Sequence, residues 1–296
     1  MNRPLQAALS KLRNNKNGCL TGSSLTQSQR RALEDFGRQT GAVNWMPKGR
    51  GIIYQSQQPE VIEQHWQQLT PYDKAAADKN LPARATNIAK TRNSKSGQHQ
   101  HEYYYLPLKA KGSVSWHNDN GYLLDLQEAT KQMGAATLKI SEKEDIGWQS
   151  KSPLWLIENQ ALFDHLDWLP EQQACSVLYY SGHLQNLLIN WLARHRRANK
   201  IYFFPDYDGV GLKNYARLKH KLNMPVEFWL IPNWKNLLLK TGSNELWKNT
   251  NREFKSALPD IKSLCSDEPE LIELLETMQI NGLALEQEAV WLNSQT

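Results

Sequence analysis

Asp206 and Asp208 stand two apart, directly after the apolar run Ile201-Tyr202-Phe203-Phe204 and its break at Pro205. Gly209 and Gly211 follow, and a helical pattern starts at Leu212. A buried strand, an acidic pair and a glycine turn put both carboxylates at the carboxyl end of a strand, where open α/β sheets build their sites. Beyond the strand end the turn swings both side chains towards one point. Two such carboxylates repel each other, and hard oxygen ligands suit Mg2+ or Mn2+. The competing reading of the same residues is a solvated Asp-Gly turn. Gly209 and Gly211 are expected to let a phosphate approach closely.

Two more predicted strand ends carry polar residues. Leu154 to Ile157 ends in Glu158-Asn159, and Ser176 to Tyr180 ends in Ser181-Gly182-His183. Glu158 follows four apolar residues, where a charge is costly to place without a purpose. It reads as a metal ligand or a general acid/base beside the Asp pair. Asn159, Gly182 and His183 are candidate supporting residues. So are Glu286 and Glu288 in the tail sequence LEQE, which reads equally well as a solvated charged helix end.

The elements that must position these groups begin at Pro153. Predicted strands at 154–157, 176–180, 201–204 and 226–231 alternate with predicted helices at 161–168, 184–195 and from Leu212 to about Leu222. Such alternation implies a mainly parallel sheet with helices on its faces. A charged stretch at 141–152 reads as a linker, which divides the chain into 1–148 and 149–296.

The front part has a different character. Residues 1–112 hold 17 Lys and Arg against 7 Asp and Glu, a balance of +10, whereas residues 113–296 balance at −5. A basic region of this kind is the footprint of a polyanion binder. Predicted helices at 4–14, 24–39 and 59–69, a basic loop at 45–51 and a strand at 52–54 are compatible with a winged helix. A strand at 103–108, a hairpin turning at Asn120-Gly121 and a helix at 126–133 complete the region. The candidate phosphate contacts are Arg84, Lys90, Arg92 and Lys95, with Lys48 and Arg50 in the basic loop. His99 and His101 read as loop histidines.

Hydrophobic residues make up 40% of the 296-residue chain and charged residues 22%, which allows a sizeable core. No run reaches the roughly 18–20 apolar residues of a membrane span. The start, MNRPLQAALSKLRNN, lacks the apolar core of a signal peptide. The three cysteines, Cys19, Cys175 and Cys265, have no metal-ligand spacing, and free thiols in a reducing cytoplasm are expected.

With Glu158 after a first strand, Gly182 in an intervening turn and Asp206 and Asp208 after a later strand, the arrangement resembles the Toprim domain of primases, topoisomerases and several nucleases. The segments LWLIENQALF, VLYYSGH, FFPDYDGVGL and GLALEQEAVWL resemble more closely the JetD-type Toprim nuclease subunits of bacterial Wadjet systems and the topoisomerase VI A-subunit group. The resemblance covers roughly 150–292; over 1–148 it is only general. It implies an α/β Toprim domain and a magnesium-dependent endonuclease that cuts double-stranded plasmid or foreign DNA beside an SMC–kleisin-type complex. Glu158, Asp206 and Asp208 are the implied catalytic and metal-binding residues, and a double-strand cut implies a homodimer.

Other readings stay open. DYDGV also matches the first motif of haloacid-dehalogenase-type phosphatases, although no second acidic motif follows the next strand. A non-catalytic DNA-binding adaptor and a topoisomerase-like strand transferase remain. For the last, Tyr103, Tyr104 and Tyr105 are the candidate nucleophiles.

Overall fold

The computed structural model describes residues 3–49, 51–69, 81–91, 93–95, 103–171 and 173–295. The chain divides into two compact units, 1–101 and 102–296.

The first unit contains α1 (Arg3–Asn14), β1 (Cys19–Thr21), a 3-10 turn (Gly22–Ser24), α2 (Gln27–Thr40), β2 (Val43–Lys48), β3 (Gly51–Ser56), α3 (Pro59–Leu69) and α4 (Ala83–Thr91). Helix α2 starts where the sequence supplies a reciprocal cap. The Thr26 side chain accepts from the Gln29 backbone N–H, and the Gln29 side chain accepts from the Thr26 N–H. It stops at Gly41, whose φ of 68° is the left-handed conformation that glycine takes without penalty. Leu9 and Leu12 of α1, Leu33 and Phe36 of α2, Tyr54 of β3 and Trp66 of α3 form this unit's core. The strands pair antiparallel in the order β1-β3-β2. The expected basic loop at 45–51 is mostly strand, and Lys48 pairs with Gly51 at the tip of the β2–β3 hairpin.

The second unit contains β4 (Tyr103–Lys111), β5 (Ser115–His117), β6 (Leu123–Asp125), α5 (Leu126–Met133), β7 (Ala136–Ser141), β8 (Leu154–Ile157), α6 (Gln160–Asp164), β9 (Cys175–Tyr179), α7 (Asn186–Arg194), β10 (Ile201–Phe204), α8 (Gly209–Lys221), β11 (Val226–Phe228), α9 (Trp234–Thr241), α10 (Asn244–Leu264), α11 (Pro269–Asn281) and a closing 3-10 segment (Gln287–Gln295). Six strands form one sheet in the order β11-β10-β8-β9-β4-β7. The first four run parallel; β4 pairs antiparallel with both β9 and β7. The fold is therefore mixed α/β with a largely parallel sheet.

This topology moves the division expected at 148. Strand β4 is hydrogen-bonded to β9 through Leu108–Lys111, and β7 closes the sheet beyond it. Both belong with the parallel strands, so the boundary falls between 101 and 102. The charges and Gly147 at 141–152 suggest a linker, but Arg197 holds this stretch against α7. That buried guanidinium donates to the Trp148 carbonyl at 3.0 Å and to the Asp145 carboxylate at 2.5 Å. Helix α6 and strand β11 are shorter than the periodicity suggests.

The parallel strands read as continuous apolar runs because both sheet faces are covered. Leu154, Leu156 and Ile157 of β8 and Ile201, Phe203 and Phe204 of β10 have no exposure. The aromatic rings are contiguous: Trp155 stacks on Tyr202 at 4.6 Å, and Trp229 meets Phe204 edge-on at 4.6 Å. Among the described residues, no helix is long and apolar enough to cross a membrane.

Candidate active site

From β8 the chain goes to β9 on one side and then returns to β10 on the other, so the strand order reverses between β8 and β10. A reversal of this kind leaves a crevice outside the carboxyl ends of the strands, the usual ligand position in open α/β sheets. Glu158 follows β8, and Asp206 and Asp208 follow β10, so adjacent strands deliver all three carboxylates to this crevice.

Each carboxylate is held. The Tyr180 hydroxyl donates to Glu158 Oε2 at 3.2 Å. The Gln287 backbone N–H donates to Asp206 Oδ1 at 2.9 Å. Asp208, only 5% exposed, caps α8 and accepts from the Gly211 N–H at 2.7 Å. Burial pushes the Glu158 carboxyl up to about 8, and the charges of Asp206 and Asp208 add to the rise. Burial likewise raises Asp206 to about 7, opposed by the Gln287 bond and reinforced by Asp208, Glu288 and Glu286. Asp208 is raised by burial too, against the bonds from Gly211 and Val210, with Glu253 of α10 adding like charge. No basic side chain is among the groups that shift these three.

The tail crosses the crevice. Tyr207 and Leu285 exchange backbone hydrogen bonds of 2.7 and 3.0 Å. Gln287 has no exposure; its Oε1 accepts from the Asn159 N–H at 3.1 Å and its Nε2 donates to the Phe204 carbonyl at 3.3 Å. One side chain thus joins the ends of β8 and β10, while its own backbone holds Asp206. The Asn159 amide donates to Glu288 Oε1, and Glu288 Oε2 is buried without a hydrogen-bond partner. Glu286 is exposed.

The donor set suits a hard cation: oxygen ligands only, several carboxylates close enough to raise one another, and an orphaned carboxylate oxygen at the margin. Among the described residues, however, no three His, Cys, Asp or Glu side chains are already gathered in an arrangement that would hold a metal ion. A cation there has to draw the carboxylates inward.

Other expected residues fall elsewhere. A side chain on Gly209 would run into the Thr250 carbonyl and Phe254 N–H of α10, and one on Gly211 into the Asp206 carbonyl and Pro205. Both glycines are spent on the chain's own packing, not on admitting a phosphate. Gly182, with φ at 69° and open space beside it, and His183 are exposed after β9. Arg84, Lys95 and Lys48 are exposed. Lys90 lies in α4 with its side chain outside the described residues, and Arg50, Arg92, His99 and His101 lie outside them altogether. Tyr104 of β4 donates to the Tyr180 carbonyl at 3.1 Å, and its hydroxyl is pushed up by burial.

Gln287 and Tyr180 were not singled out by the sequence. A neutral amide inside LEQE and an aromatic residue at the end of an apolar run look like a solvated position and a core residue.

The molecule these features define is an α/β protein with an acidic, uncompensated site at its sheet reversal. The chain belongs to the family described as a domain of unknown function, DUF7281, whose profile matches residues 114–295. No curated protein matches it.

Proposed function

We propose that the second unit is a Toprim-type domain and the chain a metal-dependent endonuclease that hydrolyses phosphodiester bonds in DNA. The observation that carries this reading is the convergence of Glu158, Asp206 and Asp208 on one strand reversal with no basic partner among the groups that shift them. A first parallel strand ending in Glu and a third ending in Asp-x-Asp supports the Toprim assignment. The same order argues against the haloacid-dehalogenase reading, whose acidic motif usually opens its domain.

In this proposal Glu158, Asp206 and Asp208 hold Mg2+ or Mn2+. When bound, such an ion supplies charge neutralisation at the scissile phosphate and activation of the attacking water. The chain's own residues do the rest. Asp208 is fixed by the start of α8 and Asp206 by the Gln287 N–H, so both present their free oxygens in set directions. Glu158, with a carboxyl near 8, carries a proton at neutral pH before any cation arrives and can exchange it with the reacting groups. Of the three candidate tyrosines, Tyr104 donates to the backbone carbonyl of Tyr180, and its half-buried hydroxyl is engaged and raised, not activated. Water is therefore the nucleophile, and Tyr103, Tyr104 and Tyr105 are each replaceable by Phe with cleavage retained and no protein left on the cut DNA.

The first unit is proposed as the DNA-docking part. Its order of helix, strand, turn, helix and β2–β3 hairpin supports a winged helix, and residues 1–101 hold 15 Lys and Arg against 6 Asp and Glu. The resemblance to JetD-type subunits further proposes action beside an SMC–kleisin-type complex in anti-plasmid defence.

Incubation of supercoiled plasmid with the full chain tests the reading. Mg2+ or Mn2+ should yield nicked or linear DNA, excess chelator should stop the reaction, and Asp208→Ala should abolish it. Undiminished cleavage in chelator or by Asp208→Ala overturns the metal-site assignment.

A further inference from the structure

Helix α8 leads away from the acidic site, because Asp208 is its cap. It carries five basic residues: Lys213, Arg217, Lys219, His220 and Lys221. Two face carboxylates. Lys219 Nζ lies 2.9 Å from Glu268 Oε1, and His220 Nε2 lies 3.7 Å from Asp260. The other three are spaced four apart, about 6 Å of rise at each step, on one side of the helix. Lys213 and Lys221 are exposed and Arg217 is half-buried. None of these three has an ion-pair partner among the described residues.

Arg217 is nonetheless held in place. It donates through Nη1 to Asn214 Oδ1 at 2.6 Å and through Nη2 to Asn186 Oδ1, in the first turn of α7, at 2.7 Å. Asn214 is only 3% exposed, and its Nδ2 has no hydrogen-bond partner. The amide oxygen must face the guanidinium, so the orphaned amide N–H group lies beside it by covalent geometry. Two neutral acceptors fix the fork but leave its charge intact. The anchored Arg217 fork lies between two exposed lysines, and none of the three faces a carboxylate among the described residues, which is the chemistry of an anion site. A planar fork held at two points matches phosphate oxygens.

We propose that Lys213, Arg217 and Lys221 form a track for the phosphodiester backbone of the DNA strand entering the acidic site, with Asn186 and Asn214 positioning Arg217. The track rests on the endonuclease reading and adds to it the path of the substrate across the second unit. Its contacts are to phosphate and carry no base preference.

The test is binding of a labelled DNA duplex to the full chain in chelator, titrated with salt, so that cleavage plays no part. Each lost phosphate contact lowers the slope of log K against log salt by about 0.9. The triple variant Lys213→Gln, Arg217→Gln, Lys221→Gln is expected to lose roughly two to three units of slope and more than tenfold in affinity at low salt. Lys219→Gln should leave the slope unchanged. Arg217→Lys should restore the slope with weaker binding, because the charge returns without the fork. Should the triple variant fold poorly, Lys213→Gln and Lys221→Gln, both at exposed positions, should each cost about one unit. Wild-type slopes in these variants, with the wild type still cutting plasmid, overturn the track and leave the endonuclease standing. A wild type that neither binds nor cuts DNA overturns both.

Discussion

Burying Glu158, Asp206 and Asp208 together stores repulsion that a cation would relieve. The folded chain holds protons at Glu158 up to about pH 8 and at Asp206 up to about 7, whereas their ordinary values are 4.5 and 3.8. Between those limits the folded state binds more protons than the unfolded one, so these groups make stability fall as pH rises. Asp206→Asn removes that penalty. In chelator, its melting temperature should match wild type near pH 4 and exceed it by several degrees at pH 8, while cleavage is lost. Added Mg2+ should close the gap by stabilising wild type alone. An Asp206→Asn protein that melts below wild type at pH 8 would contradict the stored repulsion. Tyr180→Phe tests the neighbouring bond. Losing the donated hydrogen bond raises Glu158 further, so the rising limb of the cleavage pH profile should move to higher pH, with activity recovering there. The carboxylates were legible in the sequence because a charge after an apolar run is conspicuous. Tyr180 was not, because its one polar atom is hidden at the end of an aromatic side chain.

At the scale of elements, α8 is pinned twice. Its first turn receives Asp208, and its first residue, Gly209, lies against α10, with its N–H 3.2 Å from Thr250 Oγ1. Gly209→Ala should cost about 1–3 kcal/mol through overpacking and reduce cleavage by displacing Asp208. A variant with wild-type melting temperature would show that α10 yields easily. The Gly-Val-Gly sequence suggested a phosphate approach because glycine's lack of a side chain serves a ligand and a helix contact equally well. Sequence cannot tell which partner comes close. The parallel strands were readable for the opposite reason: burial on both faces demands unbroken apolar runs. Strand β7 was missed because Thr137 and Lys139 interrupt its apolar positions, and a half-covered edge strand tolerates them.

For the whole molecule, the division between 101 and 102 has a direct consequence. A fragment beginning at 102 keeps β4 and β7 in the sheet, and it should melt cooperatively. A fragment beginning at 149 leaves β9 with an unpaired edge and should aggregate or melt without a sharp transition. The reverse outcome would restore the boundary at 148. Composition and charge indicated two parts but not where they separate, because β4 pairs with β9 across more than sixty residues of sequence. Such pairing leaves no local mark.

The bonds of Gln287 also set an order in time. Asp206 lies 81 positions before it and Asn159 128 positions before it. On the ribosome, both acidic strand ends emerge well before the residue that fastens them. A chain halted after 208 but short of 285 contains Glu158, Asp206 and Asp208 but neither the Leu285 bridge nor the Gln287 clasp. Interrupted synthesis in that range therefore yields a product whose acidic strand ends are present but not fastened.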